Sequence, residues 1–304
     1  IRALYYDRKQ KRLLIGSKSG SIKIYQKGKV STIDTDGHGQ NIGRIYHINS
    51  DSQNRYWICT KGHGLYMMEA ANGSYLKGKQ THFSAQPGNK WSLSSDNVYC
   101  TVEDREGNIW IATYDGGVNI FPRRQRGKSL KIFNKNNVLK HYPDLSFQKV
   151  RTLTVDGEGR VWAGTTDGLL VMSLHNGIVR TETVADPKGY ADGLRSYDIV
   201  CLATDSRGTV WIGTNGGGLS HCLGRGTDGK WHFETFDTHD GLPSEEVRSI
   251  TFDQRGYVWF GTDHSLCSFD PHKRVFSTFG MEDGIDDTSC SEAAALTLPD
   301  GRIL

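Results

Sequence analysis

The stretch Asp205-Ser-Arg-Gly-Thr-Val-Trp-Ile-Gly-Thr, residues 205–214, decides the fold of this chain. It recurs without gaps at Asp51–Thr60, Asp104–Thr113, Asp156–Thr165 and Asp253–Thr262. In each copy a Trp stands six residues after the Asp: Trp57, Trp110, Trp162, Trp211 and Trp259. Two weaker copies flank these, with Leu14 (in Arg12-Leu-Leu-Ile-Gly-Ser) and Leu304 (in Asp300-Gly-Arg-Ile-Leu) at the Trp position. Successive positions are 43, 53, 52, 49, 48 and 45 residues apart. Periods of this length mark propeller blades of four strands each. Solenoids of helix pairs share the period. The units here, however, are rich in Val, Ile, Trp, Tyr and Thr between Gly and Asp-x-x-Gly turns, and they lack helical apolar spacing.

One unit reads strand by strand. Val247 to Phe252 is an innermost strand and Asp253 to Gly256 a turn, with Gly supplying the positive φ. Tyr257 to Thr262, Leu266 to Asp270 and Arg274 to Phe279 complete a four-stranded antiparallel sheet. The expectation is an all-β protein, a single β-propeller over residues 1–304, seven-bladed with its last blade truncated. A large ring at one place in every sheet packs between neighbouring blades. The Gly after it (Gly164, Gly213, Gly261) lets that neighbour approach. Regular placement inside strands argues against these Trp residues as sugar-stacking platforms.

Composition agrees. Gly is 36 of 304 residues and Pro only 7, which suits many tight turns rather than disorder. A formal net charge of +3 gives no footprint for nucleic acid. The basic run Arg123-Arg124-Gln125-Arg126-Gly127-Lys128 reads as a solvated loop. The six cysteines, at 59, 100, 201, 222, 267 and 290, have no metal-site spacing and read as buried free thiols. They leave the redox compartment open. No stretch reads as a signal peptide or a membrane span. The chain starts at Ile1 and stops at Leu304 inside strand-like segments, as a piece of something longer would.

The pattern D-x-x-G-x-[IV]-W-[IF]-G-T-x-x-G-G-[LV], seen at Asp205 to Leu219 and nearly at Asp104 to Val118, resembles the two-component regulator propeller repeat. Asp240-Gly241-Leu242-Pro243-Ser244 and Asp192-Gly193-Leu194 are similar to that family's linkers. Asp286 to Leu304 resembles its last blade before a small β-sandwich. The resemblance implies a periplasmic sensor region, part of an inner-membrane protein. It also implies a second propeller, a β-sandwich and a histidine kinase on the same chain, a homodimer, and an oligosaccharide ligand.

Function is expected where the repeats differ. The position five residues before the motif Asp holds Tyr46, Tyr99, Arg151, Val200 and Arg248, at the channel-mouth end of the innermost strands. Loops on the same face add Trp91, Asn97, Tyr114, Asp115, Arg195, Tyr197, Asn215 and His264. Aromatic rings stack on apolar sugar faces, and Arg and Asn bind hydroxyls or carboxylates. The arginines tilt the ligand towards an acidic sugar. Arg151 and Arg248 are expected to serve binding, and the Trp residues stability.

Catalysis has little support. The 11 His residues are scattered and no nucleophile motif is present. Glu245 and Glu246 are adjacent carboxylates, and neighbours on a strand face opposite sides. No catalytic residue, metal or cofactor is expected. A propeller enzyme (a polysaccharide lyase or glycosidase) and a protein-docking propeller stand as the alternatives.

Overall fold

Each of the five Trp-bearing copies folds as a β-hairpin whose turn is closed by its own Asp. Asp156 Oδ1 accepts the backbone N–H groups of Glu158 and Arg160, each at 2.9 Å, while Oδ2 accepts Trp162 Nε1–H at 2.8 Å. The Trp bond recurs at Asp51 (2.8 Å), Asp104 (2.7 Å), Asp205 (3.3 Å) and Asp253 (3.3 Å), always with the two turn amides. One carboxylate thus ties the turn to the indole of the following strand. A buried indole N–H without a partner would cost free energy, and this bond removes that cost. In the first copy, where Leu14 replaces Trp, Asp7 Oδ2 takes the Tyr56 hydroxyl instead.

The computed structural model describes residues 1–36, 39–69, 78–125, 130–143, 147–185, 193–285, 290–292 and 294–304. Arg126, Gly127, Lys128, Asp192 and Asp286 of the segments named above lie outside them. Six antiparallel sheets follow one another, each ordered as in sequence. The first is β1 (Ala3–Asp7), β2 (Arg12–Gly16), β3 (Ile22–Gln26) and β4 (Lys29–Ile33). The second is β5 (Arg44–Ser50), β6 (Arg55–Lys61), β7 (Leu65–Glu69) and β8 (Gln80–Phe83). The third has β9 (Val98–Glu103), β10 (Ile109–Thr113) and β11 (Gly117–Phe121), with an Ile120–Phe133 bridge at its outer edge. The fourth is β12 (Val150–Val155), β13 (Val161–Thr165), β14 (Gly168–His175) and β15 (Ile178–Ala185). The fifth is β16 (Ile199–Thr204), β17 (Val210–Thr214), β18 (Leu219–Arg225) and β19 (Trp231–Phe236). The sixth is β20 (Val247–Phe252), β21 (Val258–Thr262), β22 (Leu266–Asp270) and β23 (Val275–Phe279). These are the antiparallel blades of a β-propeller, five of them four-stranded and the third with a bridge in place of its outermost strand.

Among the described residues six blades are formed, not the expected seven. The seventh motif copy yields a hairpin joined by the Thr297–Ile303 bridge, with paired bonds between Leu296 and Leu304 at 2.9 and 2.8 Å. Its Thr297 hydroxyl bonds Thr251 and the Phe252 carbonyl of β20. Two short segments carry only one edge of a blade.

The chain forms two compact units, Ile1–Leu153 with Leu174–Val179, and Thr154–Ser173 with Arg180–Leu304. In the first, β1, β5 and β9 lie side by side; in the second, β16 lies beside β20. Cores fill the gaps between successive sheets. Trp57 of β6 meets Phe121 of β11 at 5.3 Å in one such core. Trp162 meets Trp231 at 4.9 Å, and Trp211 meets Phe269 at 6.2 Å, in two more. Close approach needs a missing side chain at Gly213, where a Cβ would stand 2.8 Å from Val247 of the neighbouring sheet. Trp57, Trp110, Trp162 and Trp211 are at most 1% exposed, whereas Trp259 of the last sheet is half-buried and stacks on its own Phe279.

Two substitutions test this frame. Trp211→Ala should lower stability by about 3–5 kcal/mol, as truncation of a core aromatic does. Asp156→Ala, which leaves the Trp162 indole and two turn amides unpaired, should lower it by at least about 2 kcal/mol. Chemical denaturation of both variants measures this, and a loss under about 0.5 kcal/mol in either would be at odds with the packing described.

Candidate functional site

The position five residues before the motif Asp is a β-bulge. Pairing skips Tyr46 between Ile45 and His47, and Tyr99 between Val98 and Cys100. It likewise skips Val200 between Ile199 and Cys201, and Arg248 between Val247 and Ser249. A bulged residue leaves the ladder and its side chain is re-aimed, a device often found beside binding sites. Arg151 holds the corresponding place as the second residue of β12. In four of the sheets the repeat therefore places one residue outside the ladder pairing at the same end of the first strand.

In the first unit two of these side chains, Tyr46 and Tyr99, converge, and Tyr114 joins them. Tyr46 and Tyr99 lie 4.6 Å apart centroid to centroid, and Tyr99 stacks on Tyr114 at 5.0 Å with the rings 15° from parallel. Tyr114 follows the motif Thr of β10, and its N–H is held by the Asn97 carbonyl at 3.0 Å. Asn97 Nδ2 in turn donates to Asp115 at 3.1 Å. Cations cover both ends of this ladder: the Arg2 guanidinium sits 4.7 Å from the Tyr46 centroid, Lys61 Nζ 6.0 Å from it, and Lys149 Nζ 5.8 Å from that of Tyr114. Each such contact is worth roughly 0.5–1 kcal/mol at an exposed site. The ring faces thus meet one another and the cations. The Cys100 thiol reaches the Leu153 backbone, which sets β12, and with it Arg151, beside β9.

The remaining candidates make other contacts. Trp91 stands apart in a cleft of about 1040 Å³ with Phe133, Arg123, Arg124 and Lys131, whose Nζ is 4.9 Å from its ring. In the second unit Arg248 is paired with Glu246 at 3.0 Å, and His264 with Asp263 at 2.9 Å. The Ser244 hydroxyl, with His264 and Arg248 nearby, holds the Asp263 carboxyl below its usual range. Asn215 donates to Asp198 at 3.0 Å, Arg195 is engaged by Asp237, and Tyr197 is half-buried against the core. Val200 is buried.

Arg2, Arg44, Lys61 and Lys149 were not legible as site residues. The signal was present: the position seven before the motif Asp reads Arg44, Asn97, Lys149, Asp198 and Glu246. The position after the motif Thr reads Lys61, Tyr114, Thr166, Asn215 and Asp263. Both vary as freely as the bulge. All six cysteines are free, four of them buried, and burial pushes the Cys100 thiol up to about 12. Such thiols are inert packing groups. Among the described residues no group of His, Cys, Asp and Glu could hold a metal ion. No helix among them is long and apolar enough to cross a membrane.

The Two component regulator propeller family matches at residues 92–115, 193–216 and 241–264. Each matched segment runs from the loop before a first strand, through its bulge, to the residues just after the motif Thr. It resembles the extracellular domain of a hybrid two component system from B. thetaiotaomicron, at TM-score 0.74 and 21% identity over 100% of this chain and 37% of that one. It also resembles the extracellular domain of a one component system from B. thetaiotaomicron, at TM-score 0.55 and 18% identity over 100% of this chain and 40% of that one. Virginiamycin B lyase from Staphylococcus aureus matches at TM-score 0.64 and 10% identity, over 96% of this chain and 89% of the lyase. At these identities the likeness is one of fold. The chain spans well under half the length of either extracellular domain. No curated protein matches the chain.

Behind the ladder, burial pushes the His47 imidazole down to about 4, and its Nδ1 accepts the Thr101 N–H at 3.4 Å. Burial also lowers the pKa of His221 in the second unit. An unfolded chain takes up these protons near pH 6.5, the folded one only at lower pH. Between those values the unfolded state binds more protons, so stability falls as pH drops from about 6.5 towards 4. His47→Gln should flatten that slope in denaturation curves taken across the window. An unchanged slope would mean that His47 is not the group responsible.

Proposed function

We propose that this chain is a ligand-sensing propeller from the extracytoplasmic region of a hybrid two-component regulator, and that it takes an oligosaccharide at the Tyr46–Tyr99–Tyr114 ladder. The observation that carries this reading is the coincidence of three features in the first unit. Tyr46 and Tyr99 sit on bulges, they converge with Tyr114, and the three rings are flanked by cations. The repeats and the likeness to two-component extracellular domains support the sensor role. In the whole protein the ligand signal would pass through a second propeller and a β-sandwich to a histidine kinase, from the periplasm across the inner membrane, with a homodimer bringing two kinases together.

A propeller enzyme is the rival, since lyases share the fold. The adjacent carboxylates favour the binder: Glu246 holds Arg248 at 3.0 Å, and Glu245 accepts the Thr238 hydroxyl at 3.2 Å.

Calorimetric titration of the intact extracytoplasmic region against an oligosaccharide panel tests the reading. Tyr99→Ala and Tyr114→Ala should each weaken binding roughly tenfold or more, since aromatic anchors dominate such contacts, while the melting temperature confirms folding. Unchanged affinity in both variants places the ligand elsewhere, and turnover of a bound sugar establishes the enzyme.

A further inference from the structure

The two units carry opposite charge at equivalent positions of the repeat. In the first unit, the position seven before the motif Asp and the position after the motif Thr hold Arg44 with Lys61 in the second sheet. The former position in the fourth sheet's first strand region holds Lys149. In the second unit the same positions hold Asp198 with Asn215, and Glu246 with Asp263. The repeat frame is common to both, so packing does not demand the change of sign.

Arg44 and Lys61 stand directly opposite each other across the β5–β6 ladder. Like charges in that arrangement repel. Both are exposed, and among the described residues no carboxylate pairs with Arg44, Lys61 or Lys149. Arg2 and Arg151 add two guanidinium groups to the same end of the first strands. The acidic groups nearby are already engaged: Asp115 accepts from Asn97 at 3.1 Å, and Asp96 from the Ala85 N–H at 2.7 Å. The aromatic ladder holds Lys61 and Lys149 near ring faces. An aromatic face positions a cation without removing its charge.

We infer that the ladder of the first unit selects an acidic oligosaccharide, with ring carboxylates or sulfates held by Arg44, Lys61 and Lys149 around the tyrosine hydroxyls. This rests on the ladder being the ligand site. The ammonium groups act as point charges and the guanidinium groups as forked donors, a combination suited to carboxylate and sulfate oxygens. Neutral sugars would leave the repulsion between Arg44 and Lys61 in place.

The test uses the full-length protein and pairs of oligosaccharides of equal length: galacturonate, alginate and chondroitin fragments against galacto-, xylo- and arabino-oligosaccharides. The acidic members should bind, and their affinity should fall several-fold between 50 and 200 mM salt as screening grows (concentrations of about these values). The exposed double variant Lys61→Gln/Lys149→Gln should keep its melting temperature and lose roughly tenfold or more in affinity for them. Binding confined to neutral members, insensitive to salt and lost in Tyr99→Ala, overturns the acidic selectivity while leaving the ladder as the site. Acidic binding that survives both the double variant and Tyr99→Ala overturns both. So does the failure of every member to bind.

Discussion

The structure depends on one carboxylate repeated five times. The motif Asp holds two amides of its own turn with one oxygen and the indole N–H of a Trp six residues on with the other. That arrangement closes the hairpin and fixes the indole's orientation at once. The indole is then delivered, buried and polar-satisfied, to the gap between one sheet and the next. A buried carboxylate is costly unless fully bonded, and here three donors meet it. The blade and the blade-to-blade contact are therefore specified by the same residue.

Because this frame is local, positions away from it can change without disturbing it. The bulge one turn upstream is the clearest case. Its residue makes no ladder pairing, so Tyr, Val and Arg are all accepted there in the described pairings. In the first unit that freedom brings Tyr46 and Tyr99 together beside Tyr114. In the second it gives Arg248, which pairs with Glu246. The fold supplies the places, and the departures from the repeat supply the chemistry.

Most of the frame was legible because it is written in short-range spacing. The strand Val247–Phe252 was read to the residue, and the next begins at Val258, one later than expected, because the Tyr257 N–H is spent on Asp253. The blade count was not, since the last copy, Asp300 to Leu304, has the motif's letters but forms only one bridge. The Trp–Asp bond was hidden in plain spacing: packing explains why a Trp recurs, though not why it keeps six residues from an Asp. The candidate tyrosines were found as departures from the repeat. Their stacking and the cations at either end belong to pairs far apart in sequence, such as Arg2 with Tyr46 and Tyr114 with Lys149, which no local pattern encodes. A bulge is likewise a property of two strands, invisible in either alone.

The central claim is that a common frame holds a ligand face confined to the first unit. Hydrogen–deuterium exchange of the full-length protein, with and without a saturating oligosaccharide, tests it directly. The account predicts slowed exchange in peptides covering residues 44–50, 97–103 and 113–117, with the motif hairpin 205–214 unchanged. Slowing confined to residues 193–285 would contradict it.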